Sequence, residues 1–158
     1  MMTKSIPLAI LLIVSTQFLT AAGPKAKISQ PDFTKGDLIP AGASHDWNLG
    51  STGARGWMFS DKLETSTARQ IAITKISPNS PADGPLKVGD VILGVGDKKF
   101  SHDPRTEFGK ALTVAEERSG LLKILRWRDG KSKTVSLNLI VLGSYSLTAP
   151  YHLSLIHI

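Results

Sequence analysis

The 158-residue sequence contains no cysteine. This absence excludes disulfide bonds, thiolate metal sites and a cysteine nucleophile. It does not assign a compartment, because exported domains also occur without cysteine. Hydrophobic residues make up 41% of the chain and charged residues 20%, which are ordinary shares for a globular protein. The composition therefore argues against wholesale disorder.

The common catalytic and nucleotide-binding motifs are missing as well. The sequence has no G-x-S-x-G and no H-E-x-x-H. Its glycine loop at residues 50–56 lacks the G-K-[ST] ending of a P-loop, and Gly94 and Gly96 lack the third glycine of a dinucleotide site. The pairs at residues 45–46 and 102–103 each combine His with Asp, but a metal site would need a third ligand. We expect no catalytic residues, no metal and no cofactor in this chain.

The basic excess is small and diffuse. The formal net charge is +6, and no cluster of Lys and Arg with interleaved aromatic residues appears. Such a cluster is the usual mark of a nucleic-acid-binding surface. We therefore expect no nucleic-acid partner.

The first 22 residues have the pattern of a signal peptide. Lys4 precedes an apolar run at residues 6–19, and small residues follow at positions 20–22. The run is shorter than the roughly 20 residues that a spanning helix needs. This predicts export to the periplasm or the extracellular space, with an uncleaved N-terminal anchor as the alternative.

Composition divides the rest of the chain into three parts. Residues 23–43 have scattered Lys, Pro and Gly without periodicity, which indicates a linker. Residues 44–142 carry the strand and helix patterns of one domain. Residues 143–158 form a tail whose end, at residues 152–158, differs abruptly in composition and resembles adapter read-through. We interpret the natural protein as continuing past Tyr151, and a genuine short β-tail is the alternative.

The centre of the domain is a strand–turn–strand stretch. Residues 71–76 form a β-branched apolar run, and residues 91–95 form a second one. Between them, turn residues stand at nearly every position from 77 to 85. Gly89 permits a positive φ, and Asp90 can bond nearby backbone N–H groups in a tight turn.

This order of elements resembles the PDZ family. The matching positions are Ser80, Pro81, Ala82, Leu86, Val88, Gly89, Asp90, Val91, Ile92 and Leu93. The resemblance implies an α+β, mainly β fold: a partly open barrel of five to six strands with two helices. It also implies a peptide groove between the second strand and a helix. The domain is thus expected to bind an extended peptide, a protein C-terminus or an internal strand.

The glycine loop marks one wall of that groove. In the PDZ family an x-Φ-G-Φ loop before the second strand offers backbone N–H groups to a terminal carboxylate. The best match is Ala54, Arg55, Gly56 and Trp57. Arg55 replaces the usual apolar residue, so it either helps to neutralise a carboxylate or folds over the groove. The resemblance places the guest strand beside Trp57, Met58 and Phe59.

The opposite wall is the predicted helix. Asp103 is a good N-cap and Pro104 suits the first helical position. Four apolar residues then share one face: Phe108, Ala111, Leu112 and Ala115. We expect Phe108 and Leu112 to line the groove or the core, and Arg105 and Gly109 to lie at its rim. His102 precedes Pro104, so the histidine that defines one PDZ specificity class is not matched.

A hairpin ends the domain. Asp129 and Gly130 are a strong two-residue turn signal, followed by alternating apolar and polar positions. The basic residues near this turn, Arg126, Arg128, Lys131 and Lys133, are expected to form a solvated edge that discourages aggregation, and an anionic partner such as a lipid head group or a cell-wall polymer is the alternative.

Three functional hypotheses follow. The first is a non-catalytic peptide-binding module of an exported bacterial protein. The second is a module that presents substrates to a secreted protease or other hydrolase whose catalytic region lies outside this chain. The third is an intramolecular brace in which the linker, through Phe33, Leu38 or Ile39, or the missing C-terminal region fills the groove. The segments D-W-N-L-G-S-T-G-A-R-G-W and V-L-G-S-Y-S-L-T-A-P-Y resemble those of large exported bacterial proteins in which such a module precedes a bigger helical region.

Overall fold

The structure is a computed structural model that describes residues 30–43, 45–61, 64–65 and 67–143. The predicted signal peptide, the first part of the linker and the tail from residue 144 onward lie outside these ranges. Within them, no helix is long and apolar enough to cross a membrane.

An antiparallel sheet of seven strands organises the described residues. Its neighbours run in the order β1 (Trp47–Asn48), β2 (Ala54–Trp57), β5 (Ile71–Ile76), β6 (Val91–Val95), β8 (Leu121–Arg128) and β9 (Lys131–Asn138). The short strand β7 (Lys98–Lys99) also pairs with β6. A separate hairpin joins β3 (Ser60–Asp61) to β4 (Glu64–Thr65).

The elements with strong local signals lie where the sequence predicts them. β5 and β6 have the predicted bounds. Asp129 and Gly130 both have positive φ, at 50° and 77°, which is the type I′ geometry that joins β8 to β9. The predicted hairpin is therefore confirmed.

Helix α1 (Pro104–Glu117) crosses one face of the sheet. The Asp103 side chain accepts a hydrogen bond from the Arg105 N–H at 2.9 Å, which confirms the predicted N-cap. Gly120, with φ +67°, donates its N–H to the Ala115 carbonyl at 2.7 Å and leads the chain out of the helix. Phe108, Leu112 and Ala115 are buried and pack on the main core.

The sheet separates two apolar clusters. The larger one lies under α1 and includes Ile71, Ile73, Ile92, Leu122, Ile124 and Leu137, all at most 2% exposed. The smaller one, on the opposite face, contains Phe33, Trp57, Phe59, Ala72, Val91 and Leu93. Alternation along each strand sends neighbouring side chains into different clusters. The segment around a 3₁₀ turn at Phe33–Lys35 covers the smaller cluster.

The mainly β, PDZ-like fold class is confirmed, but the count of elements differs from the prediction. The described residues contain one α-helix where we expected two, and the strands form an open sheet rather than a partly open barrel. The stretch after residue 60 contains the β3–β4 hairpin. That stretch is polar and has no apolar face that a second helix could bury.

Candidate functional site

A cavity of about 240 Å³ lies between the edge of the sheet and α1. Helix α1 contributes Arg105, Phe108, Gly109 and Leu112, and the sheet side contributes Trp47, Asn48, Leu49, Gly50, Met58 and Ile71. The floor is apolar, because Met58, Ile71, Phe108 and Leu112 are buried members of the main core. This cavity is where the sequence places a peptide groove.

The outer edge of β2 is already paired. β1 runs antiparallel beside it, with Trp47 opposite Gly56 and Asn48 opposite Arg55. The Leu49 N–H donates to the Ala54 carbonyl at 3.0 Å. On its other side β2 pairs with β5. A segment of the chain itself therefore occupies the outer edge of β2 at Arg55 and Gly56, directly before the residues 57–59 beside which the sequence places a guest strand.

A charged contact holds the start of β1. The Asp46 carboxylate accepts hydrogen bonds from Arg55 Nε at 2.8 Å and from the Thr74 hydroxyl at 2.7 Å. The hydrogen bond from Arg55, followed by that from Thr74, lowers the pKa of Asp46 below its ordinary value. Both side chains remain partly exposed, at 42% for Arg55 and 29% for Asp46. The ion pair is thus accessible to solvent.

Arg105 connects the start of α1 with β1. Its guanidinium lies 5.6 Å from the centroid of the Trp47 ring, a cation–π distance. The same group pairs with the Asp103 carboxylate at 2.7 Å and donates to the Ser60 hydroxyl at 3.2 Å. The hydrogen bond from Arg105 lowers the pKa of Asp103. The cavity lining therefore includes an arginine whose charge is balanced by Asp103.

Five of the ten predicted site residues line this cavity: Met58, Arg105, Phe108, Gly109 and Leu112. Three others point elsewhere. Ala54 is buried in the main core, whereas Trp57 and Phe59 belong to the smaller cluster on the opposite face of the sheet. Residues 57 and 59 stand one position from Met58 on either side, and side chains alternate in extended backbone.

The predicted carboxylate loop is part of the sheet. Arg55 and Gly56 each have strand partners on both sides, in β1 and in β5. Their backbone groups therefore do not form an open nest. The carboxylate that Arg55 meets belongs to Asp46 of the same chain. Gly56 is required for another reason, since a Cβ there would lie 2.5 Å from Ile71 Cγ2.

Sequence reasoning missed the contributions of Trp47, Asn48 and Leu49. The available signal was an aromatic residue and a leucine directly before the glycine loop, a pattern that suits a short edge strand. Phe33, which the sequence suggested as a filler of the groove, packs edge-on against Trp57 on the other face. The linker residue Leu38 is 83% exposed.

The arrangement offers apolar contacts and backbone pairing. Among the described residues, no three His, Asp or Glu side chains form a group that could hold a metal ion. A partly closed apolar cavity beside a strand edge is suited to taking a side chain from an extended peptide.

The comparison with protein families agrees with this geometry. Residues 46–117 match the family model of the PDZ domain. No curated protein matches the sequence. A solved structure of an HtrA-type protease, AlgW, with a decapeptide is similar at 22% identity and a TM-score of 0.42, over 64% of this chain. The chain spans 30% of the length of that structure.

The family match covers β1, β2, β5, β6 and α1, and so it includes both walls of the cavity. PDZ domains are binding modules for peptides. Residues 46–117 of this chain therefore form a PDZ domain.

Proposed function

We propose that the protein captures an extended peptide in the groove between the outer edge of β2 and α1. The observation that carries this proposal is the apolar cavity of about 240 Å³ between α1 and β1, the strand that covers that edge, with Met58 in its lining. Its volume suits one apolar side chain of a guest chain, with Phe108 and Leu112 as the wall on the helix side.

Strand addition would supply the main-chain contacts. In the antiparallel ladder with β1, the backbone groups of Gly56 face the outer edge, and those of Met58, two residues on, point the same way. A guest that runs along residues 56–59 takes the place of Trp47 at Gly56, bonds to the backbone of Met58 and places a side chain against Met58. Such bonds replace bonds to water, so affinity for a short peptide is modest.

We further propose that this is a non-catalytic module of a larger exported bacterial protein. The basic start and short apolar run of residues 1–22 support export. Expression of the full chain in a bacterium with a periplasm, followed by fractionation and N-terminal sequencing, tests this. Cytoplasmic material that retains residue 1 would contradict it.

A glycine in the groove allows a direct test of peptide capture. Gly109 lines the cavity, and a Cβ added there meets nothing within 4 Å. Leucine at this helical position fills the groove without backbone strain and improves helix propensity. We expect Gly109→Leu to weaken binding of a peptide selected from a random library by about tenfold or more, measured by fluorescence polarisation.

Thr106→Leu is the matched control, because Thr106 is exposed on the same helix and does not line the cavity. This variant should bind the selected peptide as the parent chain does. Equal binding by Gly109→Leu would contradict the proposed groove, and a library without any saturable binder would contradict peptide capture altogether.

A further inference from the structure

β1 has the position of a bound peptide. It lies antiparallel on the outer edge of β2, and its residues line the cavity together with α1. Gly50, just after it, is so close to the helix that a Cβ there would lie 2.5 Å from Leu112 Cδ2. Little width is left for a second backbone between β1 and α1 at that point. A guest strand and β1 therefore compete for the same edge.

The side chains of this segment make contacts that a ligand would make. Asp46 binds Arg55 of β2 and Thr74 of β5 through its carboxylate. The next residue, Trp47, lies against the guanidinium of Arg105 on α1. An acidic residue followed by an aromatic residue thus contacts three elements that surround the groove: β2, β5 and α1.

The attachment of β1 is weak at its start and strong at its end. Its ladder with β2 involves two residue pairs, and its ion pair is exposed to solvent and screened by salt. The glycine loop that follows is anchored, because Thr52 accepts from the Ala82 N–H at 2.9 Å and Gly53 accepts from the Ser77 N–H at 2.9 Å. The segment before Leu49 can therefore leave while the loop remains in place.

We propose that β1 is a tethered mimic of the ligand, and that the ligand is a peptide with an acidic residue directly followed by an aromatic residue. Such a peptide displaces residues 45–48, binds Arg55 and Thr74 through its carboxylate, and sets its ring against Arg105. This inference rests on the proposed peptide capture and names its ligand chemistry and its regulation. The apparent affinity is the intrinsic affinity multiplied by the fraction of molecules in which β1 is released, so a tighter tether weakens binding.

Binding of a peptide that copies residues 44–49 tests the proposal. The probe carries fluorescein, and a second probe has asparagine in place of the aspartate. Asp46→Asn in the full chain weakens the tether and leaves both Arg55 and Thr74 in place. We expect this variant to bind the copied peptide about fivefold or more tightly than the parent chain. It should also prefer the aspartate probe to the asparagine probe by about fivefold.

Asp97→Asn is the control, since Asp97 is exposed in the turn between β6 and β7. It should bind both probes as the parent chain does. Equal affinity of the parent chain and Asp46→Asn for the copied peptide would overturn the tether. Failure of both to bind the copy, with a library-selected peptide still bound, would overturn the ligand chemistry and leave peptide capture standing. Failure of every peptide would overturn both proposals.

Amide hydrogen exchange of the full chain without peptide is a second test of the release of β1. If β1 is released locally, the Trp47 and Gly56 amides exchange faster than the Ile73 amide, which is bonded to the Asp90 carbonyl at 2.8 Å. Asp46→Asn should raise the exchange rates of the Trp47 and Gly56 amides about fivefold and leave the exchange rate of the Ile73 amide unchanged. Exchange of all three amides at one common rate would contradict a separately opening β1.

Discussion

Two arginine–aspartate pairs tie strands together in this domain, and they differ in burial. Asp90, in the turn before β6, is 2% exposed and accepts from Arg128 Nε and Nη2 at 2.5 and 2.6 Å. The Asp90 carboxylate also accepts the Lys87 N–H at 2.8 Å. The pair of Asp46 with Arg55 lies at the groove, where both side chains meet solvent.

The difference separates a structural contact from a displaceable one. Removing one partner of a buried pair leaves an uncompensated charge, whereas exposed pairs contribute little to stability. Asp90 links β8 to the turn that leads into β6, a central strand of the sheet. Asp46 holds two residues of the edge strand that we propose a guest replaces.

Asp90→Ala should cause the largest loss of stability among these changes. Arg128 loses both of its bonds to Asp90, and the Lys87 N–H loses its acceptor. Because Arg128 is one quarter exposed and can turn to water, we expect the lower end of the usual range, about 3 kcal/mol of unfolding free energy. Urea denaturation followed by circular dichroism measures it.

The control for this variant is Asp97→Ala, an exposed aspartate in a neighbouring turn, which should change stability by less than about 0.5 kcal/mol. A loss below about 1 kcal/mol for Asp90→Ala would remove the distinction between the two pairs.

The buried pair also corrects an expectation from sequence. Arg126 and Arg128 were expected on a solvated edge with Lys131 and Lys133. The structure instead bonds Arg128 to Asp90, and Arg126 to the Pro85 carbonyl at 3.1 Å. The two lysines are exposed as expected. The partners of the two arginines lie about 40 positions away in the sequence, so no local pattern indicates which basic residues are paired and partly buried.

The same limit explains which parts of the site were predictable. Strands β5 and β6, the Asp103 cap and the turn at residues 129–130 depend on signals within a few residues. β1 depends on Asp46 meeting Thr74, 28 positions away, and on the approach of α1. Alternation predicts that Met58 lies on the opposite face from Trp57 and Phe59, and which of these faces borders the groove depends on the packing of α1.

Acid should act on the exposed pair in a defined direction. Hydrogen bonds from Arg55 and Thr74 lower the pKa of Asp46 in the folded chain. The stabilisation that these hydrogen bonds give to β1 is therefore fully present above the ordinary aspartate pKa of about 4. It is lost as the pH falls through the lowered pKa of Asp46. In NMR spectra recorded from pH 7 to pH 2, we expect the amide signals of β1 to shift below about pH 4.

In Asp46→Asn no carboxylate remains at this site, so the same amides should lose the transition that Asp46 causes. A parent-like transition in that variant would assign the acid response to another group, and Asp103 and Asp32 also have lowered pKa values.

Arg55→Met should have the smallest effect on the whole domain and the clearest effect on β1. Methionine keeps part of the apolar stem of arginine and removes the donors to Asp46, and the 42% exposure of Arg55 predicts a loss of unfolding free energy much smaller than that of Asp90→Ala. The amides of Trp47 and Gly56 should nevertheless exchange faster, because the contact that holds Asp46 is reduced to Thr74. Urea denaturation and amide exchange measure the two effects separately. A loss as large as that of Asp90→Ala would show that both pairs are structural, and β1 would then be a permanent strand of the sheet. A small loss with faster exchange would leave the edge of β2 as the part of this domain that opens at low cost.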